Sequence, residues 1–151
     1  MAGYGNKLYK KGVQHLMNGD IDLDTNTIKV ALVTSTYGQS GGAVNLNTDE
    51  FFNTAVSTNY IGTPTAITGN NITSTPGTFD ASNLTFTSVA SGTAVAMVIY
   101  VDGDTPGTND YLIAYWDDSG SGDGSFSVTA NGGDININWN ASGIFTITAG
   151  S

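Results

Sequence analysis

The segment TAVAMVIYVD, residues 93–102, constrains the fold more strongly than any other part of the chain. Side chains alternate between the two faces of a strand, and here both faces are apolar. One face carries the larger aliphatic side chains, at Val95, Met97, Ile99 and Val101. The other face carries mostly smaller side chains, at Ala94, Ala96, Val98 and Tyr100. A strand of this kind needs protein packed over each face, so we predict that it is a central strand of a sheet.

Further strand-like runs, separated by polar turns, occur along most of the chain. They are IKVALVT (28–34), NLTFTSV (83–89), YLIAYWDD (111–118), FSVTA (126–130), DININWN (134–140) and GIFTIT (143–148), with NGG connecting the runs at 126 and 134. We expect Leu84, Phe86 and Val89 to face the core, and the stretch 60–78, with Pro64 and Pro76, to hold one edge strand. The spacing predicts a single mainly β domain over residues 1–151, an antiparallel β-sandwich or jelly roll.

Two short helices are predicted beside the strands. Residues 6–18, NKLYKKGVQHLMN, carry Leu8, Gly12, Val13, Leu16 and Met17 at helical spacing. Asn6 is the expected N-cap and Gly19 the expected C-cap of this N-terminal helix. The second helix is TDEFFNTAV, residues 48–56, with Thr48 as its cap and Asp49 and Glu50 in its first turn.

Three alternating aspartates, Asp20, Asp22 and Asp24, have the rhythm of a calcium-binding loop. An EF-hand loop needs glycine at its sixth position and glutamate at its twelfth, where this chain has Thr25 and Ala31. Asp, Asn and Thr side chains also form turns by bonding to the nearby backbone. We therefore predict a turn leading into the strand at 28–34, with an atypical cation site as the alternative.

The distribution of charge limits the kinds of partner. Only 11% of the residues are charged, and the net charge is −9. All four cations are lysines in the first 29 residues, and ten acidic residues follow with no further basic ones. Such a body repels phosphate backbones, so we expect no nucleic acid. No apolar run is long enough to span a bilayer, so we expect no membrane partner, and the first twelve residues lack the apolar stretch of an export signal. Lys7, Lys10 and Lys11 either dock on an acidic surface or form a solvated helix face.

Residues for catalysis are scarce. His15 is the only histidine, there is no cysteine, and no G-x-S-x-G motif accompanies them. We expect His15 to pack or to form surface hydrogen bonds. Asp117 and Asp118 are neighbours in one strand, so they point to opposite faces and cannot act as a glycosidase pair. We predict a protein that is not an enzyme, with no catalytic residues, no cofactor and no metal site.

Four aromatic residues, Tyr111, Tyr115, Trp116 and Trp139, are the candidates for interaction. Aromatic platforms on β-sandwiches hold sugars in many carbohydrate-binding modules, aided by Asn and Asp side chains. Large rings of this kind also anchor cores and subunit contacts. The first alternative requires that at least one indole is exposed beside Asn or Asp.

Three segments resemble a family of small virion proteins from tailed bacteriophages. They are NKLYKKGVQHLMNGDIDLDTNTIKVALVTSTY, TFDASNLTFTSVASGTAVAMVIYVDGDTPGT, and LIAYWDDSG followed by NGGDININWNASGIFTIT. The resemblance implies a virion component with a β-rich fold, most similar to a capsid decoration (cement) protein. Such a protein would bind the major capsid protein or another virion protein and stabilise the head shell, with its N-terminal helix clasping a neighbour.

Cement proteins commonly form closed cyclic oligomers, so the resemblance also implies a homotrimer, with a dimer or pentamer as alternatives. A tail or collar component, such as a fibre adaptor, is the alternative location in the virion. A carbohydrate-binding module is the second alternative function.

Overall fold

The computed structural model describes residues 3–39, 41–73 and 77–148. These residues are mainly β, with antiparallel pairing, which confirms the predicted fold class. The strands in chain order are β1 (Lys7–Leu8), β2 (Ile28–Val33), β3 (Tyr60–Ala66), β4 (Asn71–Thr73), β5 (Thr78–Asp80), β6 (Leu84–Phe86), β7 (Gly92–Ala94), β8 (Ala96–Val101), β9 (Leu112–Trp116), β10 (Val128–Ala130), β11 (Ile135–Ile137) and β12 (Phe145–Thr146). The helices are α1 (Lys10–Asn18) and α2 (Phe52–Ala55). The arrangement is sandwich-like, and the jelly roll stays a prediction.

The main sheet has the order β1-β9-β8-β2-β3, so β8 is its central strand, as predicted. The predicted strand 93–102 is interrupted at Val95, and Ala94 packs on the side of Met97 rather than that of Ala96, so its predicted face is wrong. Every residue of β8 is buried, because both of its faces are covered. One face packs on a second layer of smaller sheets, β10-β7, β11-β6 and β12-β5-β4. The predicted core residues Leu84, Phe86 and Val89 lie in this layer and are buried.

The other face of the main sheet is covered by α2 and by the loop that precedes it. Phe52 of α2 stacks on Tyr100 of β8, with ring centroids 3.8 Å apart and planes 4° from parallel. Such an aromatic pair contributes about 1 kcal/mol beyond the area that it buries. The loop adds Tyr37 and Val44, both buried, to the same cluster. The predicted cover on both faces of the central strand is therefore present.

The N-terminal helix begins at Lys10 rather than near Asn6, and Tyr9 occupies the N-cap position without a side-chain cap. The predicted cap at Asn6 is wrong because Lys7 and Leu8 pair with β9 as an extended strand. Asn6 instead exchanges hydrogen bonds with the backbone of Asp118. The predicted C-cap is confirmed, since Gly19 ends the helix with φ at 81°.

Gly12 is the buried residue of α1 and lies directly on β9. A Cβ atom at this position would collide with the carbonyl oxygen of Leu112, so glycine permits the close approach of helix and strand. Met17, expected on the inner face, is 83% exposed. That expectation is wrong because residue 17 lies about 140° around the helix from residue 12, whereas Leu16 lies about 40° from it.

The second helix covers only Phe52–Ala55, with Phe51 at its N-cap position. Thr48 is therefore not its cap, and Asp49 and Glu50 precede its first turn. The reason is that both acidic side chains have partners elsewhere: Asp49 accepts from Tyr37, and Glu50 contacts His15.

The stretch after α2 contains two short strands, where one was expected. β3 is an edge strand of the main sheet and contains Pro64, as predicted, while β4 is an additional strand. Pro76 lies outside the described residues. Further along the chain, NGG connects β10 to β11, but β10 pairs with β7 and β11 pairs with β6.

Candidate functional site

The aspartate-rich segment before β2 is a turn, as predicted. The backbone N–H of Asp22 donates to Oδ1 of Asn26 at 2.7 Å, and the N–H of Asn26 donates back to the carbonyl of Asp22 at 2.9 Å. Ile21 and Leu23 alternate with the aspartates and are buried, which anchors the turn on the core. Within the described ranges, no group of three or more His, Asp or Glu side chains is arranged to hold a metal ion.

His15 links α1 to two other segments. Its Nδ1 lies 2.7 Å from Oδ2 of Asp20, its Nε2 lies 2.8 Å from Oε1 of Glu50, and its ring stacks on Tyr111 at 3.9 Å. An ionised carboxylate only accepts hydrogen bonds, so the ring donates to both partners when both nitrogens carry protons. With both nitrogens engaged, the imidazole has a structural role. The expected packing and hydrogen bonding of His15 are confirmed.

Two of the four candidate aromatic residues, Tyr111 and Tyr115, pack against other side chains of the same domain. Tyr111 is half-buried between the rings of His15 and Phe51. Tyr115 is fully buried; its hydroxyl accepts the N–H of Gln39 at 2.7 Å and donates to Oδ2 of Asp117 at 3.1 Å. Tyr115 is therefore a core anchor, and its assignment to an interaction surface is corrected.

Asp117 and Asp118 point to opposite sides of the strand end, as predicted. Asp117 is fully buried and accepts the backbone N–H groups of Tyr4, Gly5 and Gly124. Asp118 is turned outward and accepts from the N–H of Gly120 at 2.7 Å. This bond, with others from the same loop, holds the pKa of the Asp118 carboxyl below its usual value. Sequence reasoning missed that the Asp117 carboxylate ties the N-terminal segment to β9.

Lys7 lies in β1, and Lys10 and Lys11 are the first two residues of α1. In the part of the chain that the structure describes, none of the three forms a salt bridge, whereas Lys29 pairs with Asp102 at 2.8 Å. Lys10 and Lys11 occupy the first turn of α1, where the helix dipole disfavours positive charge. These three residues are called the lysine patch below.

Trp116 and Trp139 lie at one groove between the two layers of the sandwich. The groove has a volume of about 470 Å³. Both indoles line this groove but are partly buried against the core, so the exposed indole that a sugar platform requires is present only in part. The polar residues that line it are Asn6, Asp118, Ser119, Asn136, Asn138 and Asn140. We call this feature the tryptophan groove.

The chain was compared with models of protein families, with curated proteins and with solved structures, and none of the three comparisons gave a match. Within the ranges described, no helix is both long enough and apolar enough to cross a membrane.

Proposed function

We propose that the protein is a non-enzymatic structural component of a tailed-bacteriophage virion, located on the head shell as a decoration (cement) protein. The observation that carries this proposal is the lysine patch. Within the described residues Lys7, Lys10 and Lys11 form no salt bridge, and they are carried by a chain whose net charge is −9. Unpaired lysines on an otherwise acidic molecule favour contact with an acidic partner through these residues.

The lysine patch rests on a well-ordered base. Lys7 belongs to β1, which pairs with β9, and the segment before it is fixed by the two hydrogen bonds to Asp117. Lys10 and Lys11 begin a helix whose inner face packs on β9 of the same chain. Contact with the shell therefore uses the outer face of α1, and little conformational entropy of the backbone is lost on binding.

The edges of the main sheet favour contact through side chains over strand addition. β1 has two residues, which is too short to template a further strand. β3 contains Pro64, which has no N–H to donate, and Gly62 with φ at 68°. A decoration protein must remain dispersed until it meets the shell, and blunted edges of this kind prevent uncontrolled polymerisation.

The main ionisable groups are held by structural partners, which supports a role without catalysis. His15 lies between two carboxylates. Asp110 is buried and accepts from the backbone of Asn53 and Gly107, and Asp117 is held in the same manner by N–H groups. A general acid or base has to exchange protons with a substrate, and groups saturated by backbone donors are poorly suited to that task.

The assembled form that we propose is a homotrimer bound to the major capsid protein, with a dimer or pentamer as alternatives. Repetition over the shell multiplies a modest affinity, since an oligomer with several docked copies dissociates only when all of them release. The lysine patch of each copy would then face an acidic surface of the shell.

Mass spectrometry and cryo-electron microscopy of intact particles produced from the genome that encodes this chain test the proposal. We expect the polypeptide in the purified particles and its density on the head. Density confined to the tail, collar or fibre attachment would overturn the head assignment in favour of the alternative location. Particles that lack the polypeptide would overturn both.

A further inference from the structure

We propose that the tryptophan groove is a binding site for a neutral oligosaccharide. This inference comes from the side chains of the groove alone and does not depend on the virion assignment. The groove volume of about 470 Å³ lies within the range of roughly 300–1,000 Å³ that small-ligand sites occupy.

The two indoles supply apolar walls that are already held in place. The Nε1–H of Trp139 donates to the carbonyl of Ser82 at 3.1 Å, and its backbone N–H donates to Oδ1 of Asn83 at 3.0 Å. Trp116 lies against Phe145, with ring centroids 6.3 Å apart. A pyranose ring has an apolar face of C–H groups that packs well on a flat aromatic surface. Because the rings are fixed beforehand, binding costs little side-chain entropy.

Polar groups with unused hydrogen-bonding capacity lie beside these walls. The Oδ1 of Asn140 accepts from the N–H of Ser142, and within the described residues its amide NH₂ group has no partner, which leaves that group for a ligand. In the described part of the chain, the side chain of Asn138 forms no hydrogen bond. Amides of this kind both donate to and accept from sugar hydroxyls.

Asp118 adds a charged acceptor at the edge of the groove. Its Oδ1 accepts from Gly120, Gly122 and Ser125, which fixes the carboxylate in place. Backbone hydrogen bonds lower the pKa of this carboxyl, so it is ionised at neutral pH. Charge-assisted hydrogen bonds from hydroxyls are among the stronger polar contacts. The same negative charge, on a domain of net charge −9, disfavours acidic sugars and selects neutral ones.

An array of neutral oligosaccharides, followed by titration calorimetry and indole fluorescence with any sugar that binds, tests this site on the full chain. We expect saturable binding that shifts the tryptophan emission. Trp139→Ala should weaken the affinity at least tenfold. Asn138→Ala should weaken it about threefold to tenfold without affecting folding, because that side chain is exposed and unbonded. Asn47→Ala, an exposed asparagine far from the groove residues in sequence, is the matched control and should bind as the wild type does.

Three results would overturn the proposal. The first is an array without a neutral ligand. The second is a bound sugar whose affinity is unchanged in Trp116→Ala, Trp139→Ala and Asn138→Ala. The third is sedimentation showing that Asn138→Ala dissociates an oligomer, which would assign the groove to a second copy of the chain. None of these results decides whether the protein is part of a virion, and the particle experiment above does not decide the sugar site.

Discussion

The backbone N–H of Tyr4 donates a 2.7 Å hydrogen bond to Oδ2 of Asp117, which lies 113 residues later in the chain. The N–H of Gly5 makes an equally short bond to the other carboxylate oxygen, Oδ1. A single buried carboxylate therefore fastens the segment that leads into β1 and the lysine patch. Gly124 and Tyr115 complete its set of donors.

Asp117→Asn should lower the free energy of unfolding by about 2–3 kcal/mol. The substitution replaces one accepting oxygen by an NH₂ group, which then faces a buried N–H donor, and removes the charge from the remaining bonds. Urea denaturation followed by circular dichroism measures the change. Asp104→Asn, at an exposed position, removes the same charge and should have a much smaller effect. Equal effects of the two substitutions would show that the carboxylate does not stabilise the fold.

Tyr37→Phe should destabilise the protein more than Tyr9→Phe, by about 1 kcal/mol. The Tyr37 hydroxyl donates to Oδ2 of Asp49 at 2.8 Å, and the two tyrosine hydroxyls are 2.8 Å apart. A hydroxyl has one proton, so Tyr9 must donate to Tyr37. Loss of the Tyr37 hydroxyl leaves a buried donor without an acceptor, whereas loss of the Tyr9 hydroxyl preserves the bond to Asp49. Unfolding free energies in urea would reveal the reverse order if Tyr37 donated to Tyr9.

Alkaline pH should unfold the protein through its buried tyrosines. Burial raises the pKa values of Tyr9, Tyr37, Tyr100 and Tyr115 well above the usual value of about 10. The folded state therefore holds these phenolic protons more tightly than the unfolded chain. The resulting stability is complete below pH 10 and is lost as the pH rises above it.

The absorbance of tyrosinate, recorded during an alkaline titration, measures this effect. We expect part of the seven tyrosines to ionise near pH 10 and the rest to ionise together with the loss of near-ultraviolet circular dichroism. Ionisation of all seven at one midpoint, with the dichroism still native, would contradict the prediction.

The sequence predicted features that depend on local pattern and missed those that depend on distant pairing. The central position of β8 was predictable because its side chains are apolar on both faces of the strand. The C-cap at Gly19 was predictable because a helix commonly ends with a residue in the left-handed conformation. The residue at which α1 begins was not predictable, because Lys7 and Leu8 are held extended by pairing with β9, more than 100 residues away. The burial of Asp117 runs against the usual exposure of aspartate.

Around the candidate sites, the same distinction holds. The sequence identified Trp116 and Trp139 as a pair with two alternative roles, but only the fold places both at one groove with three asparagines of DININWN. The alternation of asparagine with apolar residues in that segment predicts a polar row on the side of the strand opposite Trp139, so the pattern alone did not indicate the shared groove. Nothing in the pattern at residues 4 and 5 indicated that their N–H groups bind a carboxylate.

Replacing Lys7, Lys10 and Lys11 together by glutamine should abolish docking on an acidic partner while leaving the fold intact. The lysines form no salt bridge in the described residues, and two of them oppose the helix dipole, so their loss should leave the unfolding free energy unchanged or slightly higher. Binding of the purified protein to particles that lack it, measured by co-sedimentation, should fall at least tenfold. Raising the ionic strength from about 0.01 to 0.15 M should also weaken the binding of the wild-type protein to the particles, because salt screens exposed charges.

Two substitutions serve as matched controls for this triple variant. Lys29→Gln removes one lysine that is already paired with Asp102 and should leave docking largely unchanged. The single substitution Lys11→Gln should produce an intermediate loss, since the three charges act on one acidic surface. Undiminished docking of the triple variant would show that the contact with the shell lies elsewhere on the domain, and the charge polarity of the chain would then no longer support the proposed orientation.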